Sequence, residues 1–393
     1  MNGTIYMPVG EVCSSISDTY REKKNMVTLI NTSDVLEGRV LNHERVPNSN
    51  LKGQFKKTFQ RDDILYSEIR PQNRRFAYVD FSPIDYIAST KLMVIRAKKD
   101  VVSPKYLYYF LKNSSTVAEL QLLAETRSGT FPQITFSEVA NLTIPVPSLA
   151  VQEVIVQTMQ CLEDKITCNE QINDNLEQQA QSYFQELFVD NASPEWTTGT
   201  ISNLGTVVGG STPSKAKPEY YTESGIAWIT PKDLSINKSK FVSHGENDIT
   251  ELGLKNSSAA IMPEGTVLFS SRAPIGYIAI AAGEVTTNQG FKSVVPKPEI
   301  GTPFVYFFLK NTLPVIEGMA SGSTFKEVSG STMKNVPAVI PDAETLAKFS
   351  DFCAAIFAQQ RTLEEQNQSL AKLRDSLLPK LMSGEIDVSA VHL

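Results

Sequence analysis

The chain has 393 residues, 41% hydrophobic and 20% charged, with 21 Gly and 21 Pro. That composition is globular and excludes a disordered, collagen-like or disulfide-scaffold protein. The net charge of −6 does not by itself point to a nucleic-acid partner. Four cysteines, Cys13, Cys161, Cys168 and Cys353, are too sparse for a disulfide framework, so reduced thiols in a cytoplasmic protein are expected. Met1-Asn2-Gly3-Thr4 does not open a basic-then-apolar leader, and no run reaches the ~18 apolar residues of a membrane helix, so a soluble chain without a membrane partner is expected.

Residues 1–148 are rich in Gly, Pro, Ser and Thr, with short β-branched and aromatic runs such as Lys91-Leu92-Met93-Val94-Ile95. They predict a domain of short strands and loops with a few helices, one over 106–112. Within it, Lys52, Lys56, Lys57, Arg61, Arg70, Arg74 and Arg75 fall in 24 residues, interleaved with Phe55, Phe59 and Phe76. Such a cluster can neutralise phosphates, and Arg can read guanine edges, although Lys and Arg also serve solubility alone. Residues 149–190 predict a long helix: Pro147 stands before it, and 149–188 contain neither Pro nor Gly. Residues 191–341 predict a second mixed domain, with Lys215 and Lys217 beside a Gly209-Gly210-Ser211-Thr212-Pro213-Ser214 loop, and with Lys232, Arg272 and Lys326. Residues 342–393 predict a second long helix and a tail, with Pro341 before the helix and Pro379 in its last turns.

The second half repeats the first. Residues 103–113 read SPKYLYYFLKN and 301–311 read GTPFVYFFLKN, an offset of 198. Residues 29–35 match 228–234, 64–71 match 267–274, Gly129-Thr130-Phe131 falls on Ser323-Thr324-Phe325, and Pro147 on Pro341. Ordered matches at nearly constant spacing mean a tandem duplication of the whole chain.

Both helices carry a heptad. Ile155, Met159, Leu162, Ile166, Asn169, Asn173, Leu176, Ala180, Tyr183 and Leu187 alternate steps of four and three. Adding 194 gives Phe349, Cys353, Ile356, Gln360, Leu363, Asn367, Leu370, Arg374, Leu377 and Leu381 in the same register. This is the coiled-coil period, which predicts a shared seam. Asn173 and Asn367 occupy equivalent seam positions, where a buried Asn fixes register or, alternatively, marks a splayed, wet stretch. Cys161 and Cys168 read as helix-packing residues, and Glu163-Asp164-Lys165 as a solvated helix face. Charge is segregated: residues 1–150 sum to +4 and 151–190 to −7, while 191–341 sum to 0 and 342–393 to −3.

Signs of catalysis are lacking. His43, His244 and His392 are scattered without triad or metal-ligand spacing, and the Gly209-Gly210 loop lacks the Walker A pattern. Neither a G-x-G-x-x-G fingerprint nor an Asn/Asp-Pro-Pro-aromatic methyltransferase signature occurs. The expected chain is non-enzymatic, with no metal and no cofactor of its own.

Residues 204–214, Trp228-Ile229-Thr230-Pro231-Lys232-Asp233-Leu234 and Ser270-Ser271-Arg272-Ala273-Pro274-Ile275-Gly276 carry a resemblance over the full length. So do Thr287-Asn288-Gln289-Gly290-Phe291, Ser321-Gly322-Ser323-Thr324-Phe325 and the 377–386 string LLPKLMSGEI. The chain resembles the specificity subunits of type I restriction-modification systems. The resemblance implies an α+β chain: two mixed α/β target-recognition domains in tandem pseudo-twofold repeat, joined by two long antiparallel coiled-coil helices. It implies that each domain reads one half of a bipartite double-stranded DNA target while the helices set the spacer and dock two methyltransferase subunits. Two restriction subunits would complete the nuclease, with S-adenosylmethionine, ATP and Mg on those partners. DNA-facing candidates added on this basis are Arg127 in the first domain and Thr212, Ser271, Asn288, Gln289 and Thr324 in the second. Trp228 and Asp233 read equally as core or turn residues that hold a recognition loop. The first domain departs from the pattern: no Trp precedes Val9-Gly10-Glu11-Val12 as Trp196 precedes 204–207, and 14–20 replace the Gly-Ser-Thr-Pro loop. Different half-sites are therefore expected. Alternatives are a methylation-only system, a stand-alone methyltransferase or nuclease, and a plain coiled-coil scaffold.

Overall fold

The structure is a computed structural model that describes residues 4–22, 24–49, 53–127, 130–322 and 326–388. It comprises two compact units, Met1–Ile166 with Gln368–Leu393, and Thr167–Asn367. The long helices Leu149–Gln185 and Ala343–Ser383 each contribute a stretch to both units. Glu186–Asp190 continue the first of them as a π-helical turn, and Pro379 lies inside the second.

In the first unit an antiparallel sheet runs Cys13–Ile16, Leu92–Ala97, Ile64–Ser67, Phe76–Tyr78. In register, Val94 faces Ile16 and Leu92 faces Ser67. A second sheet runs Val46–Pro47, Met26–Ile30, Tyr86–Ser89, Phe55–Lys57, its middle pair parallel. The strand Leu92–Ala97 shows why its residues are almost continuously apolar. Met93, Ile95 and Ala97 enter one core with the helix Pro104–Lys112, whereas Leu92 and Val94 enter the core shared with the second sheet. Alternate side chains point to opposite faces, so a strand covered on both sides loses the polar half of its pattern. Each such aliphatic burial contributes roughly 1.5–3 kcal/mol.

The second unit repeats this plan. Its larger sheet runs Gly205–Gly209, Lys292–Pro296, Val267–Ser271, Ile275–Ala281, Phe241–Val242. Val267 and Phe269 enter the core with the helix Thr302–Asn311, while Leu268, Ala279 and Ala281 enter the other. The smaller sheet runs Tyr221–Thr222, Asn247–Ile249, Ile226–Ile229, Thr286–Thr287, with Trp228 opposite Thr286 in the parallel pair.

Of the expected seam residues, Ile155, Met159, Phe349, Ile356, Leu363 and Leu381 are buried. Leu162, Ile166, Asn173, Leu176, Leu187, Asn367, Leu370 and Leu377 are half-buried. Within the second unit the helices run antiparallel, because rising numbers on one meet falling numbers on the other. Asn169 Nδ2 donates to Asn367 Oδ1 at 2.8 Å, Gln360 Nε2 donates to the Asn173 carbonyl at 3.1 Å, and Phe184 packs against Phe349. Asn367 therefore meets Asn169, which is fully buried, while Asn173 meets Gln360. An antiparallel pair matches positions that share a constant sum, not a constant offset. In the first unit Ile155 and Met159 share a core with Leu378, Leu381 and Met382.

Two helix-borne readings change. Cys161 and Cys168 are exposed rather than packed, whereas Cys13 and Cys353 are buried, and burial pushes both of these thiols up to about 12. Glu163 is not a solvated residue: it accepts from Tyr109 Oη at 2.9 Å and pairs with Lys112, tying the first unit's globular part to its helix. Glu177 does the corresponding work in the second unit, bridging Lys240 and Lys310, the latter at 2.5 Å.

Candidate nucleic-acid interface

The second unit carries an open cleft of about 660 Å³ where four segments converge. The first follows the strand Gly205–Gly209. A Cβ on Gly210 would lie 2.0 Å from the Asn288 carbonyl oxygen and 2.4 Å from that of Thr287, so only glycine lets the two backbones approach there. Ser211 N then donates to Thr287 O at 2.8 Å, which sets Thr212 beside Gln289.

The second segment follows the strand Ile226–Ile229. Trp228 is 6% exposed, and its indole Nε1 donates to Ser211 O at 3.0 Å, pinning the glycine loop. Thr230 and Asp233 form a capping box at the start of the helix Pro231–Ile236, with Thr230 N donating to Asp233 Oδ2 at 2.7 Å. Asp233 Oδ1 also accepts from Glu246 N at 2.8 Å, so both its oxygens are engaged. Trp228 and Asp233 are thus positioning residues of the cleft wall.

Arg272 lies in the third segment, the turn between Val267–Ser271 and Ile275–Ala281, with Nη1 3.4 Å from Glu327 Oε2. Asn288 and Gln289 lie in the fourth, just beyond Thr286–Thr287. The cleft is lined by Thr212, Lys215, Lys232, Arg272, Asn288 and Gln289, six residues the sequence singled out, and by Trp228, Tyr221, Glu246 and Asn247. Lys232 pairs with Glu246 at 2.6 Å, a hydrogen bond that raises its amine above the usual lysine value.

Other candidates sit differently. Lys217 is exposed outside the cleft lining and donates to Tyr220 Oη at 3.0 Å. Ser271 is fully buried, its hydroxyl donating to Gly290 O at 3.1 Å, so it shapes the loop and offers nothing to a ligand; the expectation for it is corrected. Lys326 is exposed beyond the lining, and Thr324 lies outside the described residues.

The first unit does not gather its candidates in this way. Lys56, Arg61 and Arg70 are exposed, while Lys52 lies outside the described residues. Lys57 turns inward, its Nζ donating to Leu92 O at 2.8 Å and Thr90 O at 3.1 Å, and burial lowers its amine below the usual lysine value. Arg75 Nη1 donates to Ser33 O at 3.0 Å, and Arg127 Nη1 lies 2.5 Å from Glu138 Oε1. Lys57 therefore serves backbone carbonyls, a correction to its expected role at the DNA, while Arg75 holds a loop carbonyl through one of its nitrogens. Arg74 donates to Ser114 Oγ at 2.9 Å and lines a cavity of about 110 Å³ with Glu37, Lys112, Arg374 and Asp375. Among the described residues no cluster of three or more His, Cys, Asp or Glu could hold a metal ion, and no helix is long and apolar enough to cross a membrane.

The profile of the type I restriction modification DNA specificity domain matches the chain twice, over residues 6–178 and 194–372. The chain belongs to this family. The specificity subunit of the type I restriction enzyme HindI from Haemophilus influenzae is 29% identical, covering 92% of this chain and 94% of that one. The MjaIX specificity subunit from Methanocaldococcus jannaschii is 37% identical over 49% of this chain and 45% of its own. In fold, the chain is similar to the S subunit of a type I restriction-modification system from M. genitalium, with a TM-score of 0.55 at 17% identity, covering 97% and 96% of the two chains. It is accordingly a specificity subunit concerned with DNA target recognition, built as two specificity domains in tandem.

Within this family frame, Tyr221, Glu246 and Asn247 were not legible as cleft residues. No motif marks Glu246-Asn247; the strand order of the smaller sheet brings them to the site. Lys240 was also missed: 7% exposed, it lies over the Phe357 ring at 4.2 Å and donates to Gln360 Oε1 at 2.6 Å.

Proposed function

We propose that this chain is the non-catalytic recognition and scaffold subunit of a type I restriction-modification complex. Each globular part reads one half of a bipartite double-stranded DNA target. The long helices set the gap between half-sites and dock two methyltransferase subunits; two restriction subunits join them in the cytoplasm. S-adenosylmethionine, ATP and Mg belong to those partners. The observation that carries this reading is the cleft of the second unit. Arg272, Lys215, Lys232, Asn288, Gln289 and Thr212 come from separate segments of the sequence to line one concave surface. Cations and amides on a rigid frame suit phosphate positioning together with base readout.

The test is binding of the full chain, with its modification subunits, to the bipartite site mapped by methylome sequencing. Lys215→Ala is expected to weaken binding evenly across sequences and to reduce the salt slope by about 1. Arg272→Ala is expected to cost about 1–3 kcal/mol and to relax the motif in one half only. Unchanged affinity and an unchanged motif in both variants would overturn the assignment of the cleft to DNA.

A further inference from the structure

Two amides of the cleft have their oxygens bonded to their own loops. Gly290 N donates to Asn288 Oδ1 at 2.8 Å. A backbone N–H can only donate, so this bond fixes which end of the Asn288 amide is oxygen. Thr212 Oγ1 donates to Gln289 Oε1, occupying the neighbouring amide in the same sense. Both side chains line the cleft, and both are left with an NH₂ group to offer. Arg272, beside them, has donors only. The carboxylates nearby are engaged: Asp233 caps its helix and takes Glu246 N, and Glu246 holds Lys232.

The bases differ at this level. In the major groove adenine is read by an amide that accepts from N6 and donates to N7, and cytosine offers only a donor. Guanine alone presents two adjacent acceptors, N7 and O6. The donors of Arg272 and of the two amide NH₂ groups match guanine's paired acceptors, whereas adenine's N6 hydrogens gain nothing from them. Phosphates are acceptors too, but the exposed ammonium of Lys215 on the same lining suits them better than neutral amides do.

We infer that the cleft of the second unit reads a guanine, through Arg272 with the amide donors of Asn288 and Gln289. This rests on the cleft being a DNA-reading surface. Asn247, exposed on the same lining, is the amide through which an adenine would be read instead.

The test uses the full chain with its modification subunits on duplexes carrying its mapped bipartite site. Each guanine is replaced in turn by 7-deazaguanine and each adenine by 7-deazaadenine, which remove N7 while keeping base pairing. One 7-deazaguanine position is expected to weaken binding about tenfold, and the Gln289→Ala or Arg272→Ala protein is expected to lose that sensitivity. Sensitivity that stays the same in both variants, or that falls on a 7-deazaadenine and is lost in Asn247→Ala, would overturn the guanine assignment. Loss of affinity on neutralising single phosphates, with every deaza duplex bound normally, would overturn it as well. Failure of the underlying DNA reading has its own signature: Lys215→Ala and Arg272→Ala would then leave affinity for the unmodified site untouched.

Discussion

If the long helices fix the gap between half-sites, lengthening both should lengthen the gap. The facing pairs Asn169 with Asn367 and Asn173 with Gln360 place the mid-point of the pairing between them. Seven residues inserted between Gln171 and Ile172 and seven between Glu364 and Glu365 would separate these pairs without removing either. A heptad insert also leaves the seam in register, because seven residues make two turns of the 3.5 period. Deletion would be a poorer test, since Glu364 accepts from Lys240 N at 2.7 Å and Phe241 N at 3.0 Å and its loss would loosen the second unit.

The added rise is about 10.5 Å at 1.5 Å per residue. B-DNA rises about 3.4 Å per base pair, so the gap should grow by about 3 bp if the helices lie along the duplex, and by less if they are inclined to it. The assay is methylome sequencing of cells carrying the lengthened chain with its modification subunits. The half-site sequences should stay the same while the number of unspecified bases between them rises by one to three. An unaltered gap with normal methylation would refute the spacer role.

Three further outcomes follow from particular contacts. Burial pushes the Glu177 carboxyl up, but Lys240 and Lys310 outweigh it and hold it below its usual range. Its contribution is therefore present above the unfolded value near ~4.3 and lost as pH falls through the lower folded value, so Tm should rise with pH across that acid window. Glu177→Gln should flatten that rise and cost about 3 kcal/mol at neutral pH, since the buried Lys240 would lose the carboxylate that pairs with its charge. Lys240 itself is lowered by burial despite Glu177. Asn169→Leu combined with Asn367→Leu should raise Tm, by about 1–3 kcal/mol of stability, because Asn169 Oδ1 is buried without a partner; a fall in Tm would mean that the pair holds the helices together rather than setting their register. Asp233→Ala should cost about 1–2 kcal/mol through the lost cap and weaken DNA binding, while Glu246→Ala, which keeps the cap, should leave stability within ~0.5 kcal/mol.

The helices and the duplication were readable because a heptad without Pro or Gly and a constant offset are properties of the sequence alone. The cleft was readable in the second unit because its walls are made by local devices. Gly210 permits one close approach, the Thr230/Asp233 box starts a helix, and Asn288 bends its own loop onto Gly290 N. What could not be read was side-chain direction at the ends of strands. Ser270 and Ser271 are adjacent and equally polar, yet both are buried, one meeting Tyr277 N at 2.7 Å and the other Gly290 O. Lys57 looks like its neighbour Lys56, but the carbonyls of Thr90 and Leu92 draw it inward. Basic residues serve the fold or a ligand according to the carbonyls within reach, and that is a tertiary fact.

The same distinction separates the two units. The first unit uses the same device as the second after its own central strand: Asn31 N donates to Asp34 Oδ2 at 2.7 Å, as Thr230 N does to Asp233. Yet Arg75 and Lys57 of the first unit hold its loops, whereas Arg272 of the second has a side chain in the cleft. Capping and strand pairing are shared and conserve the frame; the residues placed on it are not. It follows that the frame and the readout can change independently. Replacing Gln289, which is exposed, should alter the motif in one half-site while leaving stability and the other half-site as they were. Replacing Asp233 or Gly210 should disturb stability first and the motif only as a consequence.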